Sequence, residues 1–135
     1  MSVKPIFFIT GAQLRPLSSY HDRYIEYWLH FYDHDMEALV LEQRTFGWTH
    51  NQKEAEKWVL ENAADISEGG TFHWAVIEGF YPGLYIYNPT VQIFFEFVGD
   101  WETDGHYERI GEEWPPKLTA YFDKIRRVKT FASIG

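Results

Sequence analysis

The sequence contains no cysteine. That absence excludes disulfides, thiolate zinc sites, iron–sulfur clusters and a cysteine nucleophile, and it accords with a reducing compartment. Long apolar runs are also missing: nothing approaches the roughly 18 residues that a membrane helix needs. The opening stretch MSVKPIFFITGAQLRP carries only the short run IFFI, too little for a secretory signal, so a cytoplasmic setting and no membrane contact are expected. There is no G-x-G-x-x-G and no phosphate loop; EGG (68–70) and EGFYPG (78–83) read as plain turns. None of the serines (Ser2, Ser18, Ser19, Ser67, Ser133) stands in a G-x-S-x-G elbow. No nucleotide or other cofactor is expected.

Aromatic residues, by contrast, make up 19% of the chain, about twice the ordinary share. Large rings each bury much area, so 135 residues can build a stable core and fold as one domain spanning 1–135. The net charge of −8 is unevenly spread. Residues 1–113 hold 19 acidic and 7 basic side chains, hence −12; residues 114–135 hold one acid, Asp123, and five bases, hence +4. The acidic body repels nucleic-acid phosphates, whereas KIRRVK (124–129) could touch nucleic acid or an acidic partner, or simply present a solvated helix face.

Turn signals recur about every eight to twelve residues, a spacing typical of many short strands. PIFFIT (5–10) reads as the first strand and GAQLRPLSSYHD (11–22) as a loop. RYIEYWLHFY is rich in aromatic and β-branched residues, and DHD after it is good turn chemistry. Residues 24–44 are therefore expected to form a hairpin, with MEALVLEQR (36–44) returning as the second arm and Leu29 and Tyr27 opposite Leu39 and Leu41. The alternative is a helix with Ile25, Trp28, Leu29, Tyr32, Met36, Leu39 and Val40 on one stripe. A central helix is predicted over about 50–62, with Thr49 as N-cap, Gln52 completing a capping box, and Ala55, Trp58, Val59 and Ala63 buried. TFHWAVIEGF (71–80) reads as a central strand, LYIY (84–87) as a short strand, VQIFFEFV (91–98) as a strand with Val91, Ile93, Phe95 and Phe97 inward, and HYERI (106–110) as an edge. WPP (114–116) stops that edge. A second helix is predicted over about 117–129, burying Leu118, Tyr121, Phe122, Ile125 and Val128. The fold class is α+β: an antiparallel, twisted sheet with one central and one C-terminal helix.

Three groups of residues could carry chemistry. His30 and His34, flanked by Asp33 and Asp35, would share one face of a helix as metal ligands, but would not on a hairpin; no Glu follows the first His as a zincin-type base. Glu78, Glu96 and Glu108 lie on or beside strands. Acid–base catalysis would require two of them to converge with separated pKa values, and Glu78 stands out because it ends the most apolar strand. Its structural alternative is a carboxylate bonded to backbone or to an arginine. Tyr24, Trp28 and Tyr32 would line one face of the hairpin, either covered by a second layer or bare as a binding patch.

The segment TFGWTHNQKEAEKWVLENAADISEGGTFHWAVIE, followed by PGLYIYNP, FFEF, HYERI and a proline, resembles a group of short bacterial and phage-encoded proteins without established activity. The likeness covers roughly residues 44–116 and leaves out YHDRYIEYWLHFYDHD. It implies a small intact α+β fold and a bacterial or mobile-element origin, and it brings no catalytic residue. The sequence is thus read as that of a non-enzymatic binding or interaction protein, with a protein partner or a second copy favoured over nucleic acid. The resemblance adds a host or defence component as a target. Two other readings stand beside it: a small metal-dependent enzyme using His30 and His34, and an acidic DNA mimic whose carboxylates occupy a partner's DNA-binding cleft.

Overall fold

The computed structural model describes residues 4–16, 39–82 and 88–132. They form a five-stranded antiparallel sheet with short helices on both faces. In chain order the elements are β1 (Ile6–Pro16), β2 (Leu39–Thr49), α1 (Gln52–Glu61), α2 (Ala63–Ser67), β3 (Trp74–Phe80), β4 (Val91–Val98), β5 (His106–Gly111) and α3 (Pro116–Ile125). The strand order is β2-β1-β3-β4-β5, so β3 is central and β5 lies at an edge. The expected hairpin arm 24–32, its turn 33–35 and the short strand 84–87 fall outside the described residues. Within them, Leu39 and Leu41 are registered against Pro16 and Leu14 of β1.

All seven residues of β3 are buried, as a strand apolar on both faces requires. Its alternation feeds two cores. On one face Ala75 and Ile77 join Phe7 and Ile9 of β1, Ile93 and Phe95 of β4 and Tyr107 of β5, under Ala55, Val59, Ala63 and Ile66 of α1 and α2. On the other, Trp74 and Val76 join Ala12 and Phe94 under Leu118, Phe122 and Phe131. The second core consumes much of the aromatic excess. Phe131 stacks within 5.1–5.8 Å of Phe122, Trp114 and Phe94, and Trp114 also lies 5.2 Å from Phe94 and Phe122. Tilted and edge-on ring pairs of this kind each add about 0.5–1.5 kcal/mol beyond area burial.

Several boundaries differ from the sequence reading. The first strand does not stop at residue 10 but continues to Pro16. Gly11 looked like punctuation, yet it is a mid-strand position over which the Phe72 ring lies. The N-cap of α1 is Asn51, whose side chain accepts from the Glu54 amide at 3.1 Å. Thr49 ends β2 instead, and its Oγ1 accepts from the Asn51 amide at 3.3 Å. The last helix ends at Ile125, because Arg126 turns into the left-handed region at φ 53°. Val128 is therefore not part of a buried stripe; it is 50% exposed.

A Cβ built on Gly11 would stand 2.8 Å from Phe72 Cδ2 and 3.0 Å from the Ile66 carbonyl oxygen. Backbone cannot yield as a side-chain tip can, so Gly11→Ala is expected to cost about 1–3 kcal/mol by overpacking. Urea denaturation of the two proteins measures it; a loss under about 0.5 kcal/mol would show that the Ile66–Phe72 connection moves aside freely.

Candidate functional site

Two features could carry function: a buried carboxylate and a surface cleft. Both lie on the face covered by α3.

Glu78 is fully buried in β3. Both its oxygens accept from the Phe131 amide at 3.0 Å, and Oε1 also accepts from the Ala132 amide at 2.7 Å. Gln92 of β4, registered opposite Glu78, donates from Nε2 to Oε2 at 2.8 Å and to the Lys129 carbonyl at 2.8 Å. Trp114 Nε1 donates to Gln92 Oε1 at 3.0 Å. An indole N–H can only donate, so it fixes the Gln92 amide with its oxygen toward Trp114 and both amide hydrogens committed. Burial pushes the Glu78 carboxyl above its ordinary value, against the pull of the Gln92, Phe131 and Ala132 donors. This carboxylate is a fastening for residues 129–132.

The cleft is a pair of adjoining grooves that share His73, Trp74 and Lys117. The first, about 580 Å³, runs between α3 and the ends of β1 and β2; Leu14, Pro16, Leu39, Trp74 and Ile125 supply apolar wall, and Lys117, Lys124 and His73 supply polar groups. Lys117, Ala120, Tyr121, Lys124 and Ile125 recur at helical spacing, so one stripe of α3 makes one wall. Tyr121 Oη accepts from the Leu41 amide at 3.2 Å and ties α3 to edge strand β2. The second groove, about 500 Å³, is walled by Trp114, Pro115, Pro116 and Ile110, with Glu96 and Glu113 as its acids. His73 Nε2 lies 2.8 Å from Glu96 Oε1, and its ring meets Trp74 edge-on at 4.6 Å. Volumes of this order are ordinary for ligand sites.

The three candidate acids do not converge. Glu96 and Glu108 stand opposite each other on β4 and β5, but Glu78 lies four residues along β3 from Trp74, the partner of Glu96, or roughly 13 Å away at strand rise. Each is bound elsewhere: Glu78 by tail amides, Glu96 by His73, and Glu108 by His106 at 3.2 Å. His106 is raised by the Asp104 carbonyl and by Glu108, while Asp104 is lowered chiefly by the Asp100 amide. Among the described residues no group of three or more His, Asp or Glu is arranged to hold a metal. Tyr24, Trp28, Tyr32, His30 and His34 lie outside the described residues.

Sequence reasoning singled out Glu78 and Glu96, and Lys124 only as part of the KIRRVK run, but missed His73, Trp114 and Lys117. Lys117 and Lys124, seven apart on a predicted helix, were a legible signal that they share a face. Trp114 read only as part of a strand-stopping WPP. No protein-family model, curated protein or solved structure matches the chain. Among the described residues no helix is long and apolar enough to cross a membrane.

Glu78 gives a testable pH dependence. Its carboxyl binds a proton more tightly in the folded than in the unfolded chain, where the ordinary value is 4.5. Its contribution to stability is therefore largest below that value and declines as pH rises through the raised folded value, then stays level. Urea unfolding of wild type and Glu78→Gln between pH 4 and 8 isolates this one group. The wild-type advantage over the variant should shrink with rising pH; a flat or growing difference would contradict the assigned direction.

Proposed function

We propose that the protein is a non-enzymatic binding domain that seats a polypeptide partner in the cleft beside α3. The observation that carries this reading is the cleft's construction. Apolar and aromatic walls are joined by a few polar side chains at fixed positions, as recognition sites are, whereas the buried Glu78 carboxylate is taken up in holding the tail. The dispersal of Glu78, Glu96 and Glu108 supports binding over acid–base chemistry. The acidic body supports a protein partner over nucleic acid. The likeness of residues 44–116 to phage-encoded proteins supports a mobile-element origin and a host or defence component as target, and the lack of cysteine fits a cytoplasmic setting.

One observation favours the DNA-mimic reading as the alternative. Asp100, Glu102, Asp104, Glu108, Glu112 and Glu113 are all exposed along β5 and its flanking loops. The neighbouring Arg109 is already paired with Glu56 at 2.6 Å.

Site-specific photo-crosslinking separates the two. A photoreactive side chain at Ala120, in the cleft, should trap a polypeptide in cells that express the protein. The same group at Lys53, on α1 on the opposite face, should not. Adducts from a Glu112 position alone, to a DNA-binding protein, would favour the mimic; none above the Lys53 background at Ala120 would remove the cleft reading.

A further inference from the structure

Resting on the cleft as the binding site, we infer that it is electrically polarised and selects a short acidic, apolar segment, oriented with its carboxylates along α3. Among the described residues the first groove has no acidic lining residue, although the chain carries −8 overall. Its cations are Lys117 and Lys124, and neither forms an ion pair among the described residues. Of the other bases on this side, Lys129 pairs with Asp123 at 3.1 Å and lies over the Trp114 ring, Arg127 lies over Phe122, and Arg126 is exposed at the helix C-cap outside the groove lining. Seven residues of helix separate the two lysines by roughly 10 Å along the axis, the length of about three extended residues. The apolar wall between them, Tyr121, Leu14 and Ile125, would receive the side chains that stand between the partner's carboxylates.

Across the His73–Trp74 divide the sign changes. The second groove offers Glu96 and Glu113 with Lys117 at the boundary. A long polyanion laid through the first groove would run onto these carboxylates, so nucleic acid is disfavoured. A segment whose acidic part lies by Lys124 and whose basic part reaches Glu113 matches both halves. Reversing it would set like charges against each other, and such repulsion fixes direction as well as partner.

A displayed library of random 12-residue peptides, selected on the full chain, tests this. Enriched peptides should combine aspartate or glutamate with large apolar residues and carry their basic residues at one end. They should be retained about tenfold less by the Lys117→Glu/Lys124→Glu protein, as expected from losing two half-exposed ion pairs. Both lysines are exposed and neither is ion-paired among the described residues, so the variant should match the wild-type thermal midpoint. Enrichment of neutral or basic peptides, or equal retention by the double variant, overturns the polarity. If Ala120 still traps a polypeptide in the crosslinking experiment, the charge assignment alone falls; if it does not, the binding site falls with it. Stronger displacement of the selected peptides by a single-stranded oligonucleotide than by an acidic peptide would also overturn the assignment.

Discussion

The bond between Glu78 and the amides of Phe131 and Ala132 joins the centre of the sheet to its covering layer. A carboxylate in the middle strand is costly to bury, and three N–H donors converge on it to offset that cost. The same bonds lower Phe131 into the ring cluster with Phe122, Trp114 and Phe94. That cluster seats α3, and α3 forms the wall of the cleft. The wall of the cleft is therefore held in place by a polar contact that lies outside its lining.

The two faces of the sheet use different materials. The α1–α2 face is closed mainly by aliphatic and alanine contacts, with Ala55, Val59 and Ala63 letting the helix approach closely. Tyr107 spans β4 to donate to the Phe72 carbonyl at 2.8 Å from within that core, and burial holds its phenol well above the usual range. The α3 face is closed by rings, which cover more area per residue but meet at angles. Tilted rings leave grooves at their margins, and the cleft opens at such a margin, between Trp74, Trp114 and Tyr121. Side-chain shape thus sets an aliphatic covering layer apart from an aromatic one.

Much of this architecture was readable from residues alone. The central position of β3 followed from its two apolar faces, the inward set of β4 from strict alternation, and α1 from its buried stripe. The errors came where one residue type serves two roles. Gly11 is a common turn signal, but here it makes room for Phe72, a neighbour distant in sequence. Thr49 and Asn51 are both good caps, and the length of β2 decides between them. Arg126 has no sequence mark for the left-handed turn that ends α3 before Val128. The buried state of Glu78 was legible as a hazard in an apolar strand, whereas its partners could not be, since backbone amides more than fifty positions away carry no side-chain signature. The cleft was least legible, because it is formed where five separate stretches meet, around residues 13–16, 39, 73–74, 96 and 110–125.

The aromatic cluster also bears on the order of biosynthesis. Phe131 emerges from the ribosomal tunnel long after β1, yet the α3-side core cannot close without it. Trp74, Val76 and Phe94 would then remain uncovered on the nascent chain while the α1 side is already able to compact. Such an interval leaves an apolar, half-finished surface for which chaperones and wrong partners compete, and it lasts until the stretch carrying Trp114, Phe122 and Phe131 is free to fold back onto the sheet.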